Sequence, residues 1–274
     1  MLFFPREWYE KNRIELHLGS KVERVDPAAR TYTVKGESAR FDKLVLANGA
    51  SAFVPPLKGL PKRNVFALRT LEDAKNIMAA AGKAKRVAII GGGLLGLETA
   101  RALATGFKGL DLTVLEYAEH LLMRQLDHEG ATILRRWVEA GGTKVVTKAE
   151  TEELLGDGVV TGLRLKDGRT VEADLVLNAT GRVPFSDGLG LDELGVARQR
   201  GRVPVDNHMA TNVPGVYAIG DVTGEVLLAH VASRQGEVAA EVIAGHDSQM
   251  DYRAVPNVVF TMPEIAGVGL TSQE

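Results

Sequence analysis

The 274-residue chain predicts an α/β fold of three layers built on a mostly parallel sheet, and three observations carry that expectation. Apolar strands alternate with a segment of helical period at 86–90, 94–105 and 112–115, the order that builds a parallel sheet. The first of these strands runs into Gly91-Gly92-Gly93-Leu94-Leu95-Gly96, a Gly-x-Gly-x-x-Gly turn that opens a helix. A strand-and-glycine pattern also occurs twice, as Phe41-Asp-Lys-Leu-Val-Leu-Ala47-Asn48-Gly49 and as Glu172-Ala-Asp-Leu-Val-Leu-Asn-Ala-Thr180-Gly181. Each copy follows a hairpin-rich stretch, which suggests two copies of one architectural unit.

Strand, glycine turn, helix and second strand are followed by an acid, Glu116, twenty residues past Gly96. In that context the glycines read as the fingerprint of a Rossmann-like dinucleotide-binding unit. Gly91 permits the tight turn, Gly93 lets backbone approach a pyrophosphate, and Gly96 lets helix and strand pack closely. N–H groups and dipole at the helix start favour the phosphate charge. Glu116 is placed to accept from both adenosine ribose hydroxyls and would repel a 2′-phosphate, which favours NAD over NADP. No Arg follows before Arg124, in keeping with that preference. The alternative is a Gly-rich turn that only joins a buried strand to a helix.

Along the chain, residues 6–12 read as the end of a helix, 15–18 as a short strand, and 22–26, 30–34 and 39–41 as an antiparallel meander with a turn at Asp26-Pro27. A buried strand at 43–47 ends at Asn48-Gly49, and Thr70-Leu-Glu-Asp73 starts a helix to about Ala81. A helix over 127–140 sets Leu126, Ile133, Leu134 and Trp137 on its apolar side, stopped by Gly141-Gly142. Strands follow near 144–147, 150–155 and 159–165, with a hairpin turn at Asp167-Gly168 and a return strand over 171–177. A strand closing on Gly220-Asp221 precedes a helix over 228–245, and a carboxylate there can hold ligand hydroxyls. Trp8 and Trp137 are expected in the core, and the 228–245 helix is expected to pack on the sheet.

Composition narrows the function. Thirty glycines suit tight turns and close backbone approach to ligands. A formal charge of −2 gives no basic field for nucleic acid. The absence of cysteine excludes disulfides, Cys-ligated metal, iron–sulfur clusters and a redox-active dithiol. His17, His120, His128, His208 and His246 show no ligand spacing, so no metal is expected. No apolar run of about 18 residues predicts a membrane span, and the first residues do not read as a signal peptide. A cytoplasmic setting is compatible with all of this.

Together these residues resemble the pyridine-nucleotide-dependent flavoprotein reductases with two dinucleotide-binding domains. Residues 40–140 are most similar to rubredoxin, ferredoxin and nitrite reductases, and residues 202–274 lean toward dihydrolipoamide dehydrogenase. The resemblance implies a partial FAD-binding domain over 1–68, an NAD-binding domain over 69–190, the remainder of the FAD domain over 191–255 and the start of an interface domain over 256–274. It implies FAD extended through the first domain and NADH on the second, opposite the flavin. On the NAD side it assigns Gly91, Gly92, Gly93, Leu94, Leu95, Gly96, Glu98, Glu116, Thr180, Gly181 and Arg182; Glu98 matches a glutamate near the nicotinamide and is the candidate catalytic residue. A helix carboxylate in a local salt bridge is the other reading of Glu98. On the FAD side it assigns Ala47, Asn48 and Gly49, where the family has Ala-Thr-Gly, with Gly220 and Asp221 at the ribitol and Ala229 and His230 at the helix start facing the flavin. The chain departs from the family in lacking the first Gly-x-Gly-x-x-Gly, the Cys-x-x-x-x-Cys dithiol and most of the interface domain, and so reads as incomplete at both ends, its FAD domain without an N-terminal βαβ unit. The implied activity is an FAD-dependent NADH oxidoreductase passing electrons to an acceptor such as a small redox protein. The alternatives are an NAD-binding module without FAD or turnover, and an association module forming a homo-oligomer through an exposed sheet edge.

Overall fold

A computed structural model describes residues 3–192 and 195–270; the last four residues of the stretch 256–274 lie outside it. The chain divides into two compact units, residues 1–49 with 184–250 and residues 50–183 with 251–274.

In chain order, the first unit opens with α1 (Arg6–Lys11), β1 (Val22–Asp26), β2 (Thr31–Val34), β3 (Glu37–Arg40) and β4 (Leu44–Leu46). Strands β1-β2-β3 form an antiparallel meander. Its first turn is held by Asp26 Oδ1, which accepts the Ala29 N–H at 2.9 Å. Residues 15–18 are exposed and form no strand, because no neighbouring ladder takes up their backbone groups. Trp8 is 37% exposed rather than in the core: α1 buries no residue, and the indole stacks on Phe4 with centroids 4.1 Å apart.

The second unit continues with β5 (Ala50–Ala52), β6 (Val65–Ala67), α2 (Leu71–Ala81), β7 (Arg86–Ile90), α3 (Leu94–Gly106), β8 (Asp111–Leu115), α4 (His128–Ala140) and β9 (Thr143–Val146). A second meander, β10 (Thr151–Leu155), β11 (Gly162–Leu165) and β12 (Thr170–Glu172), leads into β13 (Leu175–Asn178) and β14 (Arg182–Pro184). Five parallel strands take the order β6-β13-β7-β8-β9. Their apolar runs are explained by cover on both faces. Ile89 and Leu175 pack with Ile77, Leu97 and Leu134 of the helices. Ala88, Ile90 and Val176 point the other way, onto Leu154 and Leu163 of the meander, as the two-residue period of a strand requires. The three layers are therefore helices, parallel sheet and meander.

Two expectations are corrected here. Residues 171–177 are not one strand: β12 belongs to the meander and β13 to the parallel sheet. The break falls at Asp174, whose carboxylate accepts the N–H groups of Lys85 and Arg86 at 3.1 and 2.9 Å and pairs with the Arg86 guanidinium at 2.7 Å, turning the chain toward β7. On α4, Ala131 and Leu134 are buried, while Ile133 and Trp137 are 49% and 57% exposed. The inward stripe follows the spacing of 131, 134 and 138, one step round the helix from the expected face.

The chain then returns to the first unit with β15 (Val216–Ala218), a 3-10 turn over Gly220–Thr223 and α5 (Ala229–Ile243), and ends in the hairpin β16 (Asn257–Val259) and β17 (Ile265–Gly267) of the second. β15 lies parallel to β4 over a core of Leu46, Leu191, Val203, Val216 and Val222. Among the described residues no helix is long and apolar enough to cross a membrane, and no cluster of three His, Asp or Glu could hold a metal.

Candidate functional site

The glycine turn is built by three different constraints. Gly91 has φ +113°, and a Cβ there would lie 2.4 Å from Ala179 O; only glycine accepts both the backbone conformation and the approach. At Gly96 a Cβ would stand 1.9 Å from Gly91 O, so the first turn of α3 can sit on the strand end only without a side chain. Gly93 is the opposite case: a Cβ there would meet nothing within 4 Å. The space beside Gly93, at the N-cap of α3, is open to a ligand.

Among the longer helices, the caps differ. α2 has a full capping box between Thr70 and Asp73, and α4 is capped by Asp127 accepting from Gly130. The Asp73 carboxyl is held below its ordinary value first by the Thr70 N–H and then by the Thr70 hydroxyl. α3 and α5 begin at Gly93 and Leu228 with no side-chain cap. Their first N–H groups keep the partial positive charge that suits an anion or an electron-rich group.

Glu116 follows β8 and is turned back onto the glycine turn. Its Oε2 accepts the Gly92 N–H at 2.6 Å and its Oε1 the Ala118 N–H at 2.7 Å. The carboxylate is thus fixed beside Gly92 with further lone pairs available to ribose hydroxyls. After β13, on the other side of β7, Thr180 Oγ1 donates to Asn178 Oδ1 at 2.9 Å, and Asn178 Nδ2 donates to Phe53 O at 2.5 Å. Gly181 O accepts the Phe53 N–H at 2.9 Å. Thr180 and Gly181 therefore sit in a braced turn against Gly91, and Arg182 begins β14. Leu94 and Leu95 form the first turn of α3.

Glu98, further along α3, accepts the Phe260 N–H at 3.0 Å. One turn on, Arg101 donates to Phe260 O and Thr261 O, each at 2.9 Å. The Glu98 carboxylate thus fastens the segment after β16 to the helix.

In the first unit, Ala47, Asn48 and Gly49 follow β4, and Gly220 and Asp221 follow β15. Parallel pairing, with Ile219 N–H on Leu46 O at 2.9 Å, brings these two turns together at the carboxyl ends of the strands, where α/β sheets bind ligands. Gly49 and Gly220 have φ +75° and +72°. Ala229 and His230 open α5, which is tied to the turn by Gln235: its Oε1 accepts the Gly220 N–H at 2.6 Å with both groups buried. Asp221 is partly buried and engaged.

Two residues that brace these sites went unassigned in the sequence. Gln235 lies on the inward stripe Val231, Gln235, Val238, Ala239 of α5, so a lone amide at an apolar helical position was its signal. Asn178 closes the buried run Leu175-Val176-Leu177, a polar residue where a strand meets its turn.

The pyridine nucleotide-disulphide oxidoreductase family profile matches residues 7–236. The nitrite reductase [NAD(P)H] of Bacillus subtilis is 35% identical over 97% of this chain and 33% of its own length. The dihydrolipoyl dehydrogenase of Chlamydia pneumoniae is 40% identical over 86% of this chain and 49% of its own. A ferredoxin reductase from Rhodopseudomonas palustris superposes with a TM-score of 0.90 at 25% identity, covering 99% of this chain and 69% of that one. The chain thus spans half or less of the length of these two curated relatives.

Proposed function

We propose that this chain, which belongs to the pyridine nucleotide-disulphide oxidoreductase family, works as an FAD-dependent NADH oxidoreductase that passes electrons to a small redox protein. One observation carries the reading: each unit ends a parallel strand pair in glycine turns with a carboxylate, Glu116 in one and Asp221 in the other, beside a helix start without a side-chain cap.

The second unit fits NADH. Gly93 leaves room for the pyrophosphate, the N–H groups of Leu94, Leu95 and Gly96 face it, and Glu116 takes the adenosine ribose and disfavours a 2′-phosphate. The first unit fits FAD in part. Asp221 would hold ribitol hydroxyls, Asn48 and Gly49 would line the same strand ends, and the start of α5 at Ala229 and His230 would favour electron density on the group facing it. Among the described residues of this unit, no glycine turn like 91–96 lies beside β4 to take a second pyrophosphate. FAD, when bound, supplies the carrier between a hydride donor and the acceptor. The protein's part is positioning and electrostatics; Gln235 keeps the Gly220 turn in place, and Glu98 holds the Phe260 segment near α3. With no cysteine in the chain, its own residues offer no dithiol route. The ferredoxin reductase neighbour supports a redox-protein acceptor.

The same partial fit favours a second reading, an NAD-binding module that does not retain FAD. Visible absorption of the purified chain, supplied with FAD and then with NADH under anaerobic conditions, separates the two. A flavin band that bleaches supports the oxidoreductase. NADH binding by calorimetry with no retained flavin leaves the module, and binding of neither sinks both. Within either reading, Glu116→Gln raises the NADH Kd about tenfold by weakening charge-assisted hydrogen bonds, measured by the same titration.

A further inference from the structure

Next to Glu116 lies a charged cluster that the reading above leaves unused. Glu119 Oε1 stands 2.5 Å from Lys148 Nζ, with the two side chains 66% and 68% exposed. Lys148 is anchored by its backbone to the loop that follows β8. Its N–H donates to Ala118 O at 2.9 Å, and the N–H of Ala149 donates to Glu116 O at 2.8 Å. The same loop is closed from inside by Glu116 Oε1 on the Ala118 N–H. Lys148 also holds φ +51°, a left-handed conformation uncommon for a residue with a side chain. This turn is therefore pinned by its backbone to the loop that starts at Glu116. His120 and His128 stand near by with ring centroids 5.8 Å apart. The Glu119 carboxyl is held below its ordinary value first by the Lys148 hydrogen bond and charge; burial opposes this, and His128 and His120 add lesser lowering effects.

We propose that Glu119 is a second determinant of dinucleotide choice, acting through Lys148: by pairing with Lys148 Nζ it withholds the cation that would otherwise answer a 2′-phosphate beside Glu116. The proposal rests on the NADH reading of the second unit. A 2′-phosphate needs cationic donors, and lysine, a compact charge on a flexible stem, can reach for one when released. Removing the charge at Glu119 takes away a repelling group and frees an attracting one in a single change, while a ribose hydroxyl feels little of either.

The test is binding of NADH and NADPH to the full chain at low salt, read by calorimetry. Glu119→Gln should tighten NADPH by about fivefold, the size expected for an exposed charge pair, and leave NADH within about twofold. The gain should vanish when Lys148→Met is added to Glu119→Gln, and should shrink at 0.5 M salt as screening sets in. No gain for NADPH, or a gain that survives the loss of Lys148, overturns the proposal. An unaltered, folded chain that binds neither dinucleotide overturns the NADH reading and this inference with it.

Discussion

The same three residues, Leu-Val-Leu, form the core of β4 in one unit and of β13 in the other. In β13 the middle residue, Val176, is fully buried; in β4 its counterpart, Val45, is 38% exposed. β13 lies between β6 and β7, with helices over one face and a meander over the other. Among the described residues β4 is paired with β15 alone, and no strand occupies the place that β7 takes in the second unit. β7 is the strand that delivers the glycine turn. The two units thus share a strand, a preceding meander and a glycine turn after it, and differ at the place where the second unit carries β7 and the Gly91–Gly96 turn. What a strand buries is decided by its neighbours, since its own sequence is identical in the two places.

The largest test of this comparison is at the glycine turn. Gly96→Ala places a methyl 1.9 Å from Gly91 O. The Gly91 backbone, held by Leu115 O and pressed on Ala179, cannot give way, so the substitution should cost about 4 kcal/mol by urea denaturation followed in the far ultraviolet. Gly93→Ala meets open space and should cost only about 0.5–1 kcal/mol of N-cap quality, yet raise the NADH Kd at least about tenfold. Equal stability losses at the two positions would break the division into packing and ligand glycines.

Smaller, and aimed at the strands themselves, Val176→Ala should destabilise by about 2 kcal/mol and Val45→Ala by less than about 0.5 kcal/mol. A matching cost at Val45 would mean that the open side of β4 is covered in solution. Next, Gln235→Leu leaves the buried Gly220 N–H without its acceptor and should cost about 1.5 kcal/mol. Gln235→Glu keeps an acceptor in place but buries a charge, and should recover little of that loss.

An effect smaller than that at Gln235 concerns Asp174, which ties the start of β13 to β7 and has work only where β7 exists. The Arg86 hydrogen bond, helped by the N–H groups of Lys85 and Arg86 and by the Arg86 charge, lowers its carboxyl below the ordinary 3.8, against a rise from burial. A lowered folded-state pKa contributes stability above the unfolded value that is lost as pH falls through the folded one. Asp174→Asn should therefore cost about 1 kcal/mol at pH 7, discounted for a pair one-third exposed. The difference between the two proteins should close below pH 3.8; a constant difference down to pH 2 would remove the ion pair from the account.

Local pattern carried much of this protein. The glycine turn, the acid after β8, the repeated Leu-Val-Leu strand, the capping box at Thr70 and the turn at Gly220-Asp221 were legible in the sequence because each rests on contacts within a few residues or on one strand–turn–helix step. The belonging of 171–177 to two sheets was not, because Asp174 is recruited by Arg86, 88 residues away. Nor was the exposure of Trp137 and Ile133, since a helix with apolar residues around more than one face leaves its inward stripe to be chosen by the sheet it meets. The braces at Gln235 and Asn178, the tether of Glu98 to Phe260 and the pairing of Glu119 with Lys148 join residues distant in the chain. By itself, then, the sequence determined which segments could turn, cap and leave a helix start open, because those are properties of neighbouring backbone. Only the tertiary structure decided which polar side chains stand free for a ligand and which are spent on the fold, because that depends on what packing brings within hydrogen-bond reach.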